Sequence, residues 1–277
     1  MRQFRSPFKA SVRLLAFLLW TLLVIPVQAA LLLLGRPVLP LARTVPRLYW
    51  RGVAWIVGFT LVVRGTPNPT RPTLFVANHA SYLDIIVLGA LLESVFVAKQ
   101  EVRGWPGIGL LARLGRTTFV DRRPQKSLRQ RDEMRGRMSG AAESMILFPE
   151  GTSNDGNRVL PFKSALLSVA ETPLPDGAAL PVQPVSVAYT RVDGIPMGRG
   201  WRPFYAWYGD MDLAPHLWDV LGMGTTTVEV DFYPPVTLDR FGSRKALADH
   251  CHGLIARGLV QSNAGRGARN QEEVVAS

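Results

Sequence analysis

The sequence predicts an α/β fold: a sheet with helices on both faces, preceded by N-terminal membrane helices. Three observations carry this. After residue 72, short apolar runs of strand length alternate with longer helical stretches. Residues 14–35 form one uncharged apolar run. Between the two regions, Gly65-Thr66-Pro67-Asn68-Pro69 is rich in turn formers and reads as a linker.

The apolar run, LLAFLLWTLLVIPVQAALLLLG, would make about 33 Å of helix, against about 30 Å of bilayer hydrocarbon. Pro26 is tolerable there. Residues 48–63 are apolar and aromatic but contain Arg51, so they read as an interfacial or re-entrant helix. Both flanks of the long helix are basic, which leaves spanning and dipping arrangements open. The competing reading is a cleaved signal peptide with Val27-Gln28-Ala29 as its cleavage site. A retained anchor is favoured, because cleavage would leave a chain starting in ALLLLG.

Strands are expected at residues 73–77, 95–98, 117–120, 144–148, 182–189 and 226–232. Helices are expected at 81–92, 105–114, 126–143, 162–171 and 243–259. The helix at 126–143 is polar and basic. It reads as a solvated face, as a headgroup contact, or as a dock for an acidic carrier protein. Residues 262–277 are small and polar and read as a flexible tail. The organisation is thus an anchor over 1–64, a globular domain over 65–261 and a tail over 262–277.

Composition narrows the function. The chain has 277 residues, enough for a substantial core, and 47% are hydrophobic, which excludes chain-wide disorder. One membrane-length run excludes a many-span transporter. The single cysteine, Cys251, excludes an intrachain disulfide and a cysteine-built zinc site. The net charge of +11 is unevenly placed. No acidic residue precedes Asp84, so the basic excess accompanies the hydrophobic N-terminus and points to an anionic membrane surface. No nucleic-acid partner is expected, since no nucleic-acid-binding signature occurs.

Two stretches carry candidate chemistry, each between an expected strand and an expected helix, where open α/β sheets bind ligands. In Asn78-His79-Ala80-Ser81-Tyr82-Leu83-Asp84, His79 in the loop can meet Asp84 in the first helical turn. The carboxylate would fix the imidazole tautomer and leave the second ring nitrogen to accept a hydroxyl proton. The same residues also read as a plain helix N-cap by Ser81. In Phe148-Pro149-Glu150-Gly151-Thr152-Ser153-Asn154-Asp155-Gly156, small residues leave backbone N–H groups for an anion. An ordinary Gly/Asn/Asp turn explains it equally well.

Together the two stretches resemble the glycerolipid acyltransferases, the PlsC-like lysophosphatidic acid acyltransferase group. NHASYLD resembles that family's NHxxxxD motif and FPEGTS its third motif. GRTTFVDR, residues 115–122, resembles the second, and VQPV, residues 182–185, the fourth. The four stand in the family's order across roughly residues 73–190.

The resemblance implies that fold, with a mixed sheet, and a general-base acyl transfer. His79 would deprotonate the lysolipid hydroxyl as it attacks an acyl thioester, and Asp84 would orient His79. Arg122, Gly151 and Thr152 would bind the acceptor and its phosphate, with Lys99 as a second cation, and Glu150 in the same substrate site would organise Arg122 or bond a glycerol hydroxyl. From its neighbours alone Arg122 also reads as a solvated charge. No cofactor or metal is implied; the donor is acyl-CoA or acidic acyl carrier protein. The implied acceptor is 1-acyl-sn-glycerol-3-phosphate, yielding phosphatidic acid at the cytoplasmic face of the inner membrane. The alternative acceptor is another lysolipid, such as lyso-ornithine lipid. An esterase or thioesterase would call for a G-x-S-x-G elbow, which the chain lacks, and a non-catalytic lipid carrier would not need His79.

Two further stretches are read as structural. Asp249-His250-Cys251-His252 points four ways around a helix and makes a poor metal site. The aromatic stretch 201–218 reads as core packing rather than as an acyl groove or a membrane contact.

Overall fold

The computed structural model describes residues 5–35, 38–120, 127–171, 173–174 and 176–267, with the backbone alone at 127–131. The helices are α1 (Pro7–Leu34), α2 (Leu39–Val57), α3 (Leu83–Leu91), α4 (Ile108–Leu114), α5 (Ser127–Ala141), α6 (Leu213–Gly222) and α7 (Arg244–Asn263). The strands are β1 (Phe59–Arg64), β2 (Leu74–Ala77), β3 (Val95–Lys99), β4 (Thr118–Val120), β5 (Met145–Leu147), β6 (Val182–Val192), β7 (Ile195–Pro196) and β8 (Thr226–Phe232).

These strands form one mixed sheet in the order β1-β8-β6-β2-β5-β3-β4, with β7 paired to β6. The run from β6 to β4 is parallel. β8 is antiparallel to β6, and β1 is parallel to β8. Strand β2 shows why the fold holds. All four of its residues are buried, as expected where both faces of a parallel sheet are covered. Phe75 and Ala77 enter one core with α2 and α3, while Leu74 and Val76 enter the other with α5 and α7.

The first core explains the N-terminus. α1 and α2 form an antiparallel hairpin: the Trp20 indole N–H donates to the Tyr49 carbonyl at 3.0 Å, and Gln28 donates to the Ala42 carbonyl at 3.0 Å. Arg13 donates to the Leu221 and Met223 carbonyls at the end of α6. The other side of α1 is exposed leucine, including Leu15, Leu19, Leu22 and Leu33. This long apolar helix fits a membrane anchor.

Several expectations need correction. Residues 48–63 are not one helix. α2 ends at Val57, Gly58 caps it at φ 86°, and the β-branched run that follows becomes β1, paired along β8. The last six residues read as anchor thus belong to the catalytic sheet. Residues 105–114 form a helix only from Ile108, and 164–171 wind as 3₁₀ rather than α-helix. The basic helix ends at Ala141, and Glu143 beyond it is buried between Arg116 and Arg137. Arg137 also donates to Thr118 and to the Arg116 carbonyl, so it locks an element boundary instead of facing solvent.

Candidate active site

The carboxyl ends of β2, β5, β3 and β4 lie along one edge of the sheet, and the motif residues follow them. β2 ends at Ala77. Asn78 then continues the pairing with its side chain: its amide donates to the Val187 carbonyl at 2.9 Å and accepts from the Val187 N–H at 2.8 Å. This substitutes for the next rung of the ladder and lets the backbone turn away, carrying His79 out of the sheet.

Asp84 lies fully buried in the first turn of α3. Its Oδ2 accepts from His79 Nδ1 at 2.9 Å and from the Ala80 and Ser81 N–H groups at 2.8 and 2.9 Å. Its Oδ1 accepts from the Tyr189 hydroxyl at 2.9 Å. The Ser81 cap does not form as expected: Tyr82 stands at the N-cap of α3 without a side-chain cap, and Ser81 Oγ accepts from the Leu83 N–H at 3.3 Å. Asp84 satisfies the orphan N–H groups of the turn, and the same carboxylate fixes the imidazole with Nδ1 protonated.

The 148–154 loop grips His79 from behind. The His79 ring stacks on Phe148 with centroids 4.1 Å apart. The His79 N–H donates to Glu150 Oε1 at 2.7 Å, and its carbonyl accepts from the Asn154 backbone and amide at 3.2 Å. Glu150 Oε2 accepts from Asn154 at 2.7 Å and from the Leu160 N–H at 2.8 Å. Burial pushes the Glu150 carboxyl up to about 7, opposed by these donors. Gly151 turns the chain at φ 70°, and a Cβ built there would stand 3.0 Å from the Lys163 ammonium.

On the far side, Trp207 joins the loop to the site: its N–H donates to the Ala80 carbonyl at 2.9 Å and its carbonyl accepts from Ser153 at 2.6 Å. Its ring meets Tyr82 and Trp105 edge-on. The Tyr82 hydroxyl lies 3.0 Å from His216 Nδ1, whose Nε2 meets the Phe204 carbonyl at 3.0 Å. His79 keeps about a fifth of its side chain exposed, and among the described residues its Nε2 has no hydrogen-bond partner. A hydroxyl approaching Nε2 meets an imidazole already fixed to surrender no proton and accept one.

The Acyltransferase family model matches residues 61–188. The lyso-ornithine lipid O-acyltransferase of Brucella abortus (strain 2308) is 44% identical over 79% of this chain and 83% of its own length. The chain belongs to the glycerolipid acyltransferase family. The 1-acyl-sn-glycerol-3-phosphate acyltransferase of Neisseria meningitidis is 32% identical over 77% of this chain and 80% of its own. The crystal structure of PlsC, the 1-acyl-sn-glycerophosphate acyltransferase of Thermotoga maritima, superposes with a TM-score of 0.62. It covers 92% of this chain and 98% of that one at 22% identity, which shows the shared fold.

In this acyltransferase the structure brings His79, Asp84, Glu150 and Gly151 together. Glu150 stands behind His79, and both its oxygens accept from His79, Asn154 and Leu160, where the sequence has it organise Arg122 or bond a glycerol hydroxyl of the acceptor. Thr152 is exposed on the loop, and Lys99 is exposed at the end of β3, on the same sheet edge. Arg122 lies outside the described residues. Sequence reading gave no role to Tyr189, Asn154 or Lys163. Asn154 lay in a stretch already singled out; Tyr189 and Lys163 had no local signal. The aromatic stretch divides. Tyr205 is core, as expected, whereas Trp201, Tyr208 and Trp218 are more than a third exposed. His250 packs on Phe241 and His252 on Phe162, while Cys251 is buried between them with its thiol pushed up to about 12 by desolvation.

Proposed function

We propose that the enzyme esterifies the free hydroxyl of lyso-ornithine lipid with an acyl chain from a thioester. The arrangement that carries the chemistry is the His79–Asp84 pair with Nε2 turned outward. The acceptor hydroxyl attacks the thioester carbonyl while Nε2 takes its proton. The tetrahedral adduct collapses, the C–S bond breaks, and the imidazolium returns the proton to the departing thiolate. No acyl-enzyme forms in this scheme, and the buried Cys251 takes no part.

The relatives support the acceptor. The 44% identical relative is named for lyso-ornithine lipid, and the 32% identical one for 1-acyl-sn-glycerol-3-phosphate. The second acceptor, giving phosphatidic acid, is the reading the test must separate. Lys163 beside Gly151, with Lys99 and Arg122, would meet the anionic group of either headgroup, and Thr152 would line the same entrance. The donor is acyl-CoA or acidic acyl carrier protein. The enzyme would work at the cytoplasmic face of the inner membrane, with α1 as its anchor.

The test is acyl transfer by purified protein in detergent, with labelled acyl-CoA and acyl carrier protein as donors. The acceptors are lyso-ornithine lipid, 1-acyl-sn-glycerol-3-phosphate and lysophosphatidylglycerol, each also run with His79→Ala. His79-dependent product from lyso-ornithine lipid is the expected result. Product only from the phosphate acceptor would overturn the acceptor and keep the mechanism. Activity that survives in His79→Ala would overturn the mechanism.

A further inference from the structure

We propose that Tyr189 is a positioning residue of this site: its phenol holds Asp84, and through Asp84 sets the orientation and basicity of His79. The inference rests on the reading of His79 as the base.

The sheet delivers the side chain. Val185, Val187 and Tyr189 alternate onto the β6 face that joins the core containing Leu83 and Val87 of α3. Asn78 locks Val187 through its paired bonds, which fixes the level of β6 against the start of the catalytic loop. Beyond Tyr189 the pairing of β6 with β8 shifts register, an irregularity of the kind that re-aims side chains near active sites. Stacking on Tyr205 at 5.7 Å and edge contact with Phe59 at 6.1 Å confine the ring. Tyr205 is itself held by a hydrogen bond from Thr226 at 2.7 Å.

The donor count around Asp84 makes the hydroxyl more than packing. Oδ2 has three N–H partners, while Tyr189 is the sole donor to Oδ1 among the described residues. Both residues are buried, so without the phenol one oxygen of a buried carboxylate would lack a partner. A filler of this core position needs only the ring. The O–H draws charge from the carboxylate, which weakens its pull on an imidazolium and keeps His79 ready to release the proton it has taken. Burial and the neighbouring Asp84 hold the Tyr189 phenol well above its ordinary value, so it stays a donor across the working range.

The other titratable groups facing this cluster are Tyr82 at the start of α3, Glu150 after β5, and Tyr205, with Arg13 and Asp193 behind Tyr205. All are unchanged in a Tyr189→Phe protein, so their contributions cancel in a comparison with wild type.

The experiment measures kcat, KM and the pH profile of kcat/KM for wild type, Tyr189→Phe, Asp84→Asn and the double variant, with melting temperatures for each. We expect Tyr189→Phe to keep KM within about twofold and to lose kcat roughly tenfold. Its acidic limb should move up by roughly half a pH unit. In the Asp84→Asn background the same change should add nothing further. An unchanged kcat and acidic limb would overturn the proposal, as would equal losses in both backgrounds. Should Tyr189→Phe fold poorly, 3,5-difluorotyrosine at position 189 keeps the shape and strengthens the donor. It should move the limb down, and an unmoved limb counts against the proposal. Activity surviving in His79→Ala marks failure of the base reading itself, distinct from a silent Tyr189→Phe in an enzyme that needs His79.

Discussion

Glu150 Oε1 accepts the backbone N–H of His79 at 2.7 Å, so the third-motif carboxylate supports the catalytic loop from beneath. Because the residue is buried, its charged form carries a desolvation cost, and stability therefore depends on pH. Its folded value near 7 lies above the ordinary 4.5. A carboxyl raised in this way contributes stability that is fully present below the unfolded value and is lost as pH rises through the folded one. Over that window the loss is on the order of 3 kcal/mol. Urea midpoints of wild type and Glu150→Gln, measured from pH 4.5 to 8, should therefore diverge. Wild type should lose stability through this range, and the glutamine variant should lose less. Parallel curves would contradict the assignment.

Asp84→Asn leaves an isosteric side chain but replaces an acceptor that serves three N–H groups and a phenol. The amide cannot hold the Nδ1–H tautomer by charge, and its NH₂ opposes one of the donors. Steady-state kinetics should show kcat reduced by about 10²–10⁴-fold with little change in acceptor KM, since the loss falls on proton transfer. A rise in KM at constant kcat would instead make Asp84 a binding residue.

Asn78→Ala removes two buried hydrogen bonds and leaves the N–H and carbonyl of Val187 without partners. The expected cost is about 2–4 kcal/mol, read as a lowered melting temperature. Activity per folded molecule should fall as well, because His79 departs the sheet at this residue. A variant with wild-type stability would show that the ladder closes without Asn78.

What the sequence shows and hides follows from distance along the chain. His79 and Asp84 are five residues apart, so their meeting is a local matter of one turn, and it was legible. Tyr189 is 105 residues from Asp84, and their contact exists only because β6 lies beside β2. No local pattern encodes that. The buried strands were legible because parallel strands covered on both faces are continuous apolar runs, as in Leu74–Ala77. β1 was missed for the same reason. Residues 48–63 are apolar in both their helical and their extended halves, and only Gly58 marks the change. Glu150 reads from the sequence as organising Arg122 or bonding a glycerol hydroxyl. Its burial depends on the Leu160 N–H and on Asn154, reached only once the loop has folded back.

The placement of β1 bears on how the chain can be cut. A protein started at residue 65 would lack the strand that pairs with β8 from Thr226 to Asp231, leaving that strand as a bare, buried-type edge. It would also lack α2, whose Tyr49, Val53, Ala54 and Val57 fill the core over α3, and whose Trp50 closes on Gly89. A chain started at residue 38 keeps both elements but loses α1, whose Ala10 sits in the core, whose Trp20, Thr21 and Gln28 bond to α2, and whose Arg13 bonds to the end of α6. In detergent, the longer piece should give a cooperative unfolding transition and resist limited proteolysis, and the shorter one should aggregate or be digested. A stable piece started at residue 65 would mean that β1 and α2 are accessories of the anchor. The expected failure would make them the first strand and first covering helix of the catalytic domain.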